Sequence, residues 1–221
     1  HLRYFTPSKA YAKEIIFGGT PSLSRQGLGS IATLVLNVAA GAYGDAAIAG
    51  MSIVTRISFF TYAVVIGLGQ GFQPLCGFCY GARLYARVKE AFYYCIKCGT
   101  IFLAICAVIG FIFSEPIIEL FRDDAKVIEV GSMALKWQVI SFPLVATIVL
   151  TNMLMQTIRK PIRANIVAGA RSGLFFIPLI FILPHFFGLL GVEMCQAWAD
   201  FCSFAVAIPI AWSAFRDMKK V

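Results

Sequence analysis

The chain has 221 residues, 59% of them hydrophobic and only 14% charged, with a formal net charge of +8 and a mean hydropathy of +0.80. That much apolar side chain exceeds what one soluble core needs, which excludes an ordinary water-soluble domain and points to an integral membrane protein. The cations fall between apolar runs and not on one basic face, so the positive balance fits a bilayer and argues against nucleic acid as a partner.

In chain order, residues 1–14 read as a polar cytoplasmic linker with Arg3, Lys9 and Lys13, lacking the apolar core of a cleavable signal peptide. The absence of an initiator Met leads us to expect a piece of a longer chain. At about 20 apolar residues per crossing, the first span covers about 15–40, with Pro21 near its start, and the second about 45–67. Next comes Gly67-Leu68-Gly69-Gln70-Gly71-Phe72-Gln73-Pro74, continued to Gly77 and Gly81, where dense glycine and a proline predict a tight structural loop rather than a continuous helix. Gln70, Pro74, Gly77 and Gly81 are its expected structural residues.

The third span covers about 91–113. Residues 114–130 predict a loop or short surface helix, with Glu115-Pro116 as breaker and Asp123 or Asp124 as cap. The fourth span covers about 131–156, the fifth about 162–187 with Pro178 and Pro184, and the sixth about 191–215 with Pro209, leaving residues 216–221 as a tail. The predicted fold is therefore all-α, a polytopic bundle of about six transmembrane helices. Lys and Arg concentrate at residues 3–13, 83–89, 159–163 and 216–220, whereas the intervening segments hold Arg122 and Lys126 among five acids. By the positive-inside rule both termini are expected to be cytoplasmic.

Polar groups inside a hydrocarbon layer are costly unless paired or wet, so their positions carry functional information. In the first span Ser22, Gln26, Ser30, Thr33 and Asn37 recur at three- and four-residue steps and share one helical face. In the fourth span Gln138, Ser141, Asn152 and Gln156 do the same. Each stripe is either packing glue between helices or a wall of a shared cavity. On the cavity reading Gln26, Ser30, Asn37, Asn152 and Gln156 contact substrate, and Met51, with Phe59, Met153 and Met155, supplies adaptable walls; core filling is the alternative for these. The sixth span carries Glu193, Gln196, Asp200 and Ser203 on one face. Asp200, near mid-membrane, and Glu193 are candidate proton- or cation-coupling acids, Asp200 being equally readable as the counter-ion of Arg171, Arg56 or Lys97.

The spacing Cys76-x-x-Cys79 and Cys95-x-x-Cys98 resembles a four-thiolate zinc pattern, but thiols in apolar helical runs usually act as small hydrophobes, and no metal site is expected. With only His1 and His185, no phosphate loop and no nucleophile elbow, the sequence predicts no catalytic residue, no enzyme and no cofactor.

The run Gln70-Gly71-Phe72-Gln73-Pro74 with Gly77-Phe78-Cys79-Tyr80-Gly81-Ala82 resembles a loop motif of the multidrug and toxic compound extrusion (MATE) family, with Cys79 replacing that motif's Asn. Gly19-Thr20-Pro21-Ser22, Arg25-Gln26, Asn37 and Gly44-Asp45-Ala46-Ala47 resemble the opening of the family's C-terminal lobe. The resemblance implies two lobes of six transmembrane helices in the complete transporter, of which this chain is the second, lacking its N-terminal six-helix partner. It implies a multi-pass protein of the plasma membrane, in bacteria the inner membrane. It implies secondary active efflux of cationic amphipathic drugs by alternating access, coupled to a proton or sodium ion. Alternatives from the same superfamily or beyond it are a flippase lobe for a lipid-linked or polysaccharide precursor and a transport-inactive structural subunit.

Overall fold

A computed structural model describes residues 8–218, and among these every regular element is helical. The helices are α1 (Lys9–Gly41), α2 (Asp45–Gly81), α3 (Tyr85–Ile112), α4 (Ser114–Phe121), α5 (Ala125–Thr157), α6 (Pro161–Gly169), α7 (Phe176–Phe187) and α8 (Leu189–Met218), with a π-helical turn, Ala170–Leu174, joining α6 to α7. Helices are the expected solution, because a lipid environment offers backbone N–H and C=O groups no partner other than their own chain.

Five helical spans are long and apolar enough to cross a membrane: α2, α3, α5, α8 and the composite Pro161–Phe187. The remaining long helix, α1, has 33 residues but mixes Ser22, Ser24, Arg25, Gln26 and Ser30 into its apolar sequence. It begins at Lys9, so residues 9–14 are its first turns and not a separate linker, and Pro21 lies inside the helix and not near its start. Residues 1–7 of the expected linker and 219–221 of the expected tail lie outside the described residues.

The predicted loop at Gln70, Pro74, Gly77 and Gly81 is corrected by the structure. All four belong to α2, which runs unbroken for 37 residues and turns only at Ala82 to Leu84. Helical Gly and Pro are tolerated in a membrane span because leaving the helix would expose backbone groups to hydrocarbon. The glycines instead permit close approach. A Cβ on Gly69 would overlap the sulfur of Met153 in α5, and one on Gly50 would lie 3.1 Å from the backbone nitrogen of Gly131. Small residues at such crossings let membrane helices pack backbone to backbone.

Helix ends follow local chemistry. Asp124 caps α5, accepting from the N–H groups of Lys126 at 3.0 Å and Val127 at 3.4 Å. Pro161 opens α6, where a missing N–H costs nothing. α2 and α5 end alike. The N–H of Leu84 donates to Cys79 O at 2.8 Å and that of Arg83 to Tyr80 O at 3.1 Å, while Lys160 donates to Met155 O at 2.9 Å and Arg159 to Gln156 O at 3.1 Å. These are paired Schellman closures, with Arg83 (φ 60°) and Arg159 (φ 55°) in the left-handed position that glycine usually takes.

α5 is the centre of the bundle: 78% of its most apolar stretch is buried, against 22–39% for the other four spans. It packs against α2, α3, α4, α6 and α8. The main core gathers Leu135, Val139, Phe142 and Val145 of α5 with Val65, Leu103 and Cys195. A second cluster brings Cys76, Cys79 and Cys95 against Phe72, Phe92 and Leu150, so these thiols pack as small apolar groups. Met51 is also core, 3% exposed, and not a cavity wall.

One end of the bundle collects cations. Lys160 and Arg163 at the start of α6 both bind Asp217 near the end of α8, at 2.5 and 2.9 Å, and Lys89 of α3 lines a cavity with Arg216 of α8. Three of the four basic segments that the sequence assigned to one side of the membrane, at 83–89, 159–163 and 216–220, thus meet in space.

Candidate functional site

A groove of about 330 Å³ opens between α1, α2, α5 and the segment from α6 into the π-helical turn. Its polar walls include Arg25, Gln26 and Ser30 of α1, Asn152 of α5, and Arg171 and Ser172 of the turn; Phe59, Tyr62 and Ile66 of α2 are the larger apolar lining. A second cavity of about 150 Å³ shares Thr33, Phe59, Tyr62 and Arg171 and reaches Ser58, Gln138 and Gln196. The two together form a trough with mixed polar and apolar walls between α1 and α2.

The α1 stripe therefore does face a cavity over Gln26, Ser30 and Thr33. Its hydroxyls are also satisfied within the helix: Ser30 donates to Gln26 O at 3.1 Å and Thr33 to Gly29 O at 3.0 Å. Each keeps acceptor capacity toward the groove. Asn37 and Gln156, expected beside them, do not line the groove. Gln156 instead donates to Asn152 Oδ1 at 2.7 Å, and Asn152 donates to the Ala164 carbonyl at 2.7 Å, tying α5 to α6. Asn152 is 3% exposed, so its amide serves a helix contact while only its edge reaches the groove.

The expected second half of the α5 stripe belongs to a different cluster. Asp200 of α8 is fully buried, and its carboxylate accepts from Arg171 Nε at 2.7 Å and Gln196 Nε2 at 3.1 Å on one oxygen. On the other, Ser141 Oγ donates at 2.9 Å and Gln138 Nε2 at 3.3 Å, with Gln138 also donating to Tyr62 Oη at 2.9 Å. The Arg171 guanidinium lies 4.6 Å from the centroid of the Tyr62 ring, a cation–π contact. Of the alternatives for Asp200, the pairing with Arg171 is the one present. A buried carboxylate held by four donors, one of them a guanidinium, is already paired and is poorly placed to exchange its cation.

Arg171 lies within the π-helical turn. The Phe175 N–H donates to Ala170 O at 3.1 Å, five residues back, and the extra residue in the turn rotates the side chains that follow it relative to a regular helix. Sequence periodicity has no signal for that shift. Tyr62 was likewise missed, since an aromatic in an apolar span reads as filler.

Two further polar groups stand out. Arg25, on the groove wall, has a buried Nε without a hydrogen-bond partner among the described residues, and it makes no ion pair there. Glu193, 5% exposed near the start of α8, is also held by no hydrogen bond or ion pair among the described residues. No cluster of three or more His, Cys, Asp or Glu groups forms a metal centre among the described residues.

The MatE family profile matches residues 21–182. The multidrug export protein MepA of Staphylococcus haemolyticus is 28% identical over 96% of this chain and 47% of its own length, and that of Staphylococcus saprophyticus is 29% identical over 94% and 46%. The chain thus spans about half the length of these curated relatives. Among solved structures, the bent form of the Vibrio cholerae MATE transporter VcmN superposes with a TM-score of 0.88 at 18% identity, covering 96% of this chain and 48% of VcmN. A MOP superfamily transporter from Pyrococcus furiosus superposes with a TM-score of 0.90 at 22% identity, covering 100% and 50%. Fold, family profile and length agree: this chain is a member of the MatE family with the extent and architecture of one half-length MATE lobe.

Proposed function

We propose that this chain is the C-terminal half of a secondary active exporter and that its groove is this half's share of a central substrate cavity. The carrying observation is the trough itself. Gln26, Ser30 and Thr33 line the same groove of about 330 Å³ as the aromatic side chains of Phe59 and Tyr62. Polar and aromatic groups side by side suit amphipathic compounds of varied shape, and the relatives, of which this chain spans about half, are named multidrug export proteins.

For a cationic amphipath, this half supplies ring faces and amides, while the opposing charge comes from the partner lobe, because Asp200 is neutralised by Arg171 and Arg25 adds a further cation. Coupling to a proton or sodium ion falls, within this half, to Glu193 and not Asp200. The expected setting is a bacterial plasma membrane with both termini cytoplasmic. In a complete transporter containing this lobe, Gln26→Ala and Phe59→Ala should each raise cellular ethidium accumulation several-fold at unchanged protein level. Wild-type efflux in both variants would remove the groove from the substrate path.

One observation favours a flippase for a lipid-linked precursor as a second reading. Arg25, with its unpartnered Nε and no ion pair among the described residues, gives the groove a net positive charge that a phosphate would meet. Arg25→Gln separates the two. It should leave or improve efflux of a cationic dye, and it should abolish translocation if the cargo is a phosphate-bearing lipid.

A further inference from the structure

At the cation-rich end of the bundle, away from the groove, a separate cavity of about 160 Å³ sits between the start of α3 and the end of α8. It is lined by Lys89 and Tyr93 of α3 and by Trp212, Phe215 and Arg216 of α8. The aromatic floor is built: Phe215 is 9% exposed and packs its ring 5.2 Å from Phe92 and, stacked at 22°, 6.0 Å from Tyr93. Each cation leans on a ring, Lys89 Nζ at 5.9 Å from the Tyr93 centroid and the Arg216 guanidinium at 5.4 Å from the Trp212 centroid. Ring faces hold the two charges on opposite sides of one recess.

Neither cation has an acid of its own. Asp217, next to Arg216, is already bound by both Lys160 and Arg163, and no ion pair engages Lys89 or Arg216 among the described residues. Both lie within roughly 6 Å of a helix end at 1.5 Å per residue, the depth of a membrane's polar boundary. Trp and Tyr are the residues that settle at that depth, and basic recesses between transmembrane helices there are suited to anionic headgroups.

We propose that this recess is a binding site for an anionic bilayer phospholipid. The phosphate sits between Lys89 and Arg216, the glycerol ester region lies against Trp212 and Tyr93, and the acyl chains follow the exposed apolar faces of α3 and α8. The site is distinct from the transport groove, shares no lining residue with it, and does not depend on what the groove carries.

Trp212 provides a local reporter. The chain, carrying Trp137→Phe and Trp198→Phe, is reconstituted in phosphatidylcholine vesicles, and brominated phosphatidylglycerol is titrated in, with brominated phosphatidylcholine as reference. Trp212 quenching should show a clear preference for the phosphatidylglycerol. Lys89→Gln or Arg216→Gln should reduce that preference roughly fivefold each and the pair roughly 30-fold, the loss of about one favourable cation–anion contact per substitution. Inorganic phosphate in the aqueous phase should not displace the lipid, which separates a lipid site from a free-phosphate site; displacement by phosphate overturns the lipid assignment. An unchanged preference in the Lys89→Gln/Arg216→Gln chain also overturns it, as does an equal preference seen by a Trp198-only reporter, which would indicate general annular enrichment. If the single-Trp chains do not fold, mass spectrometry of the otherwise wild-type chain released from mixed micelles counts retained phosphatidylglycerol, with and without the two substitutions. Equal retention then overturns the proposal.

Discussion

Replacing Asp200 with Asn keeps the shape of the buried cluster and removes its only anion. Arg171 then stays in place with its charge uncompensated, and the new amide nitrogen, itself a donor, must face either the donors Arg171 and Gln196 or the donors Ser141 and Gln138. Stripping one partner from a buried ion pair costs about 3–5 kcal/mol. The Arg171 side chain retains 21% exposure and borders the groove, so water relieves part of the penalty and the lower end, about 3 kcal/mol, is expected. At roughly 2–4 °C per kcal/mol for a chain of this size, Asp200→Asn should lower the unfolding midpoint in detergent by about 6–12 °C, read from loss of helical circular dichroism at one scan rate. Arg171→Met combined with Asp200→Asn leaves no buried charge and should recover at least half of that loss. Wild-type stability of Asp200→Asn, or a double variant no more stable than the single one, would refute the account of Asp200 as a structural counter-ion. Loss of transport without loss of stability would instead return it to the coupling path.

Three further substitutions, one of them a control, probe how α5 holds its neighbours. Gly69→Ala forces a Cβ into the Met153 sulfur and should destabilise by about 1–3 kcal/mol, whereas Gly71→Ala, two residues on in open space, should be neutral or stabilising by up to about 1 kcal/mol; thermal scans showing equal effects would contradict the observed α2–α5 packing. Asn152→Ala leaves the Ala164 carbonyl and the Gln156 amide without their partner and should cost about 1–3 kcal/mol. If it instead impairs substrate binding at unchanged stability, Asn152 belongs to the groove rather than to the α5–α6 joint.

Much of this protein is legible in the amino-acid order. Runs of about 20 apolar residues must become helices in a bilayer, because no other local structure satisfies the backbone, and clusters of charge between them mark where those helices end. Asp124 as a cap and a polar face over Gln26, Ser30 and Thr33 both follow from local rules, and the structure contains each of them. The glycine-proline run misled for a local reason too: Gly and Pro break helices in water, but not where α5 covers one side and lipid the other. What lay outside local rules was decided by packing. The spans are similarly apolar, yet only α5 is enclosed on most sides, and which helix sits in the middle depends on how glycines such as Gly50 and Gly69 let α2 close on it. The sharing of one stripe between two sites, with Gln138 and Ser141 at Asp200 and Asn152 at Ala164, likewise depends on contacts 59 to 62 residues apart in the first case and 12 in the second. Periodicity places a polar group on a helical face; which partner meets it there is set by the other helices.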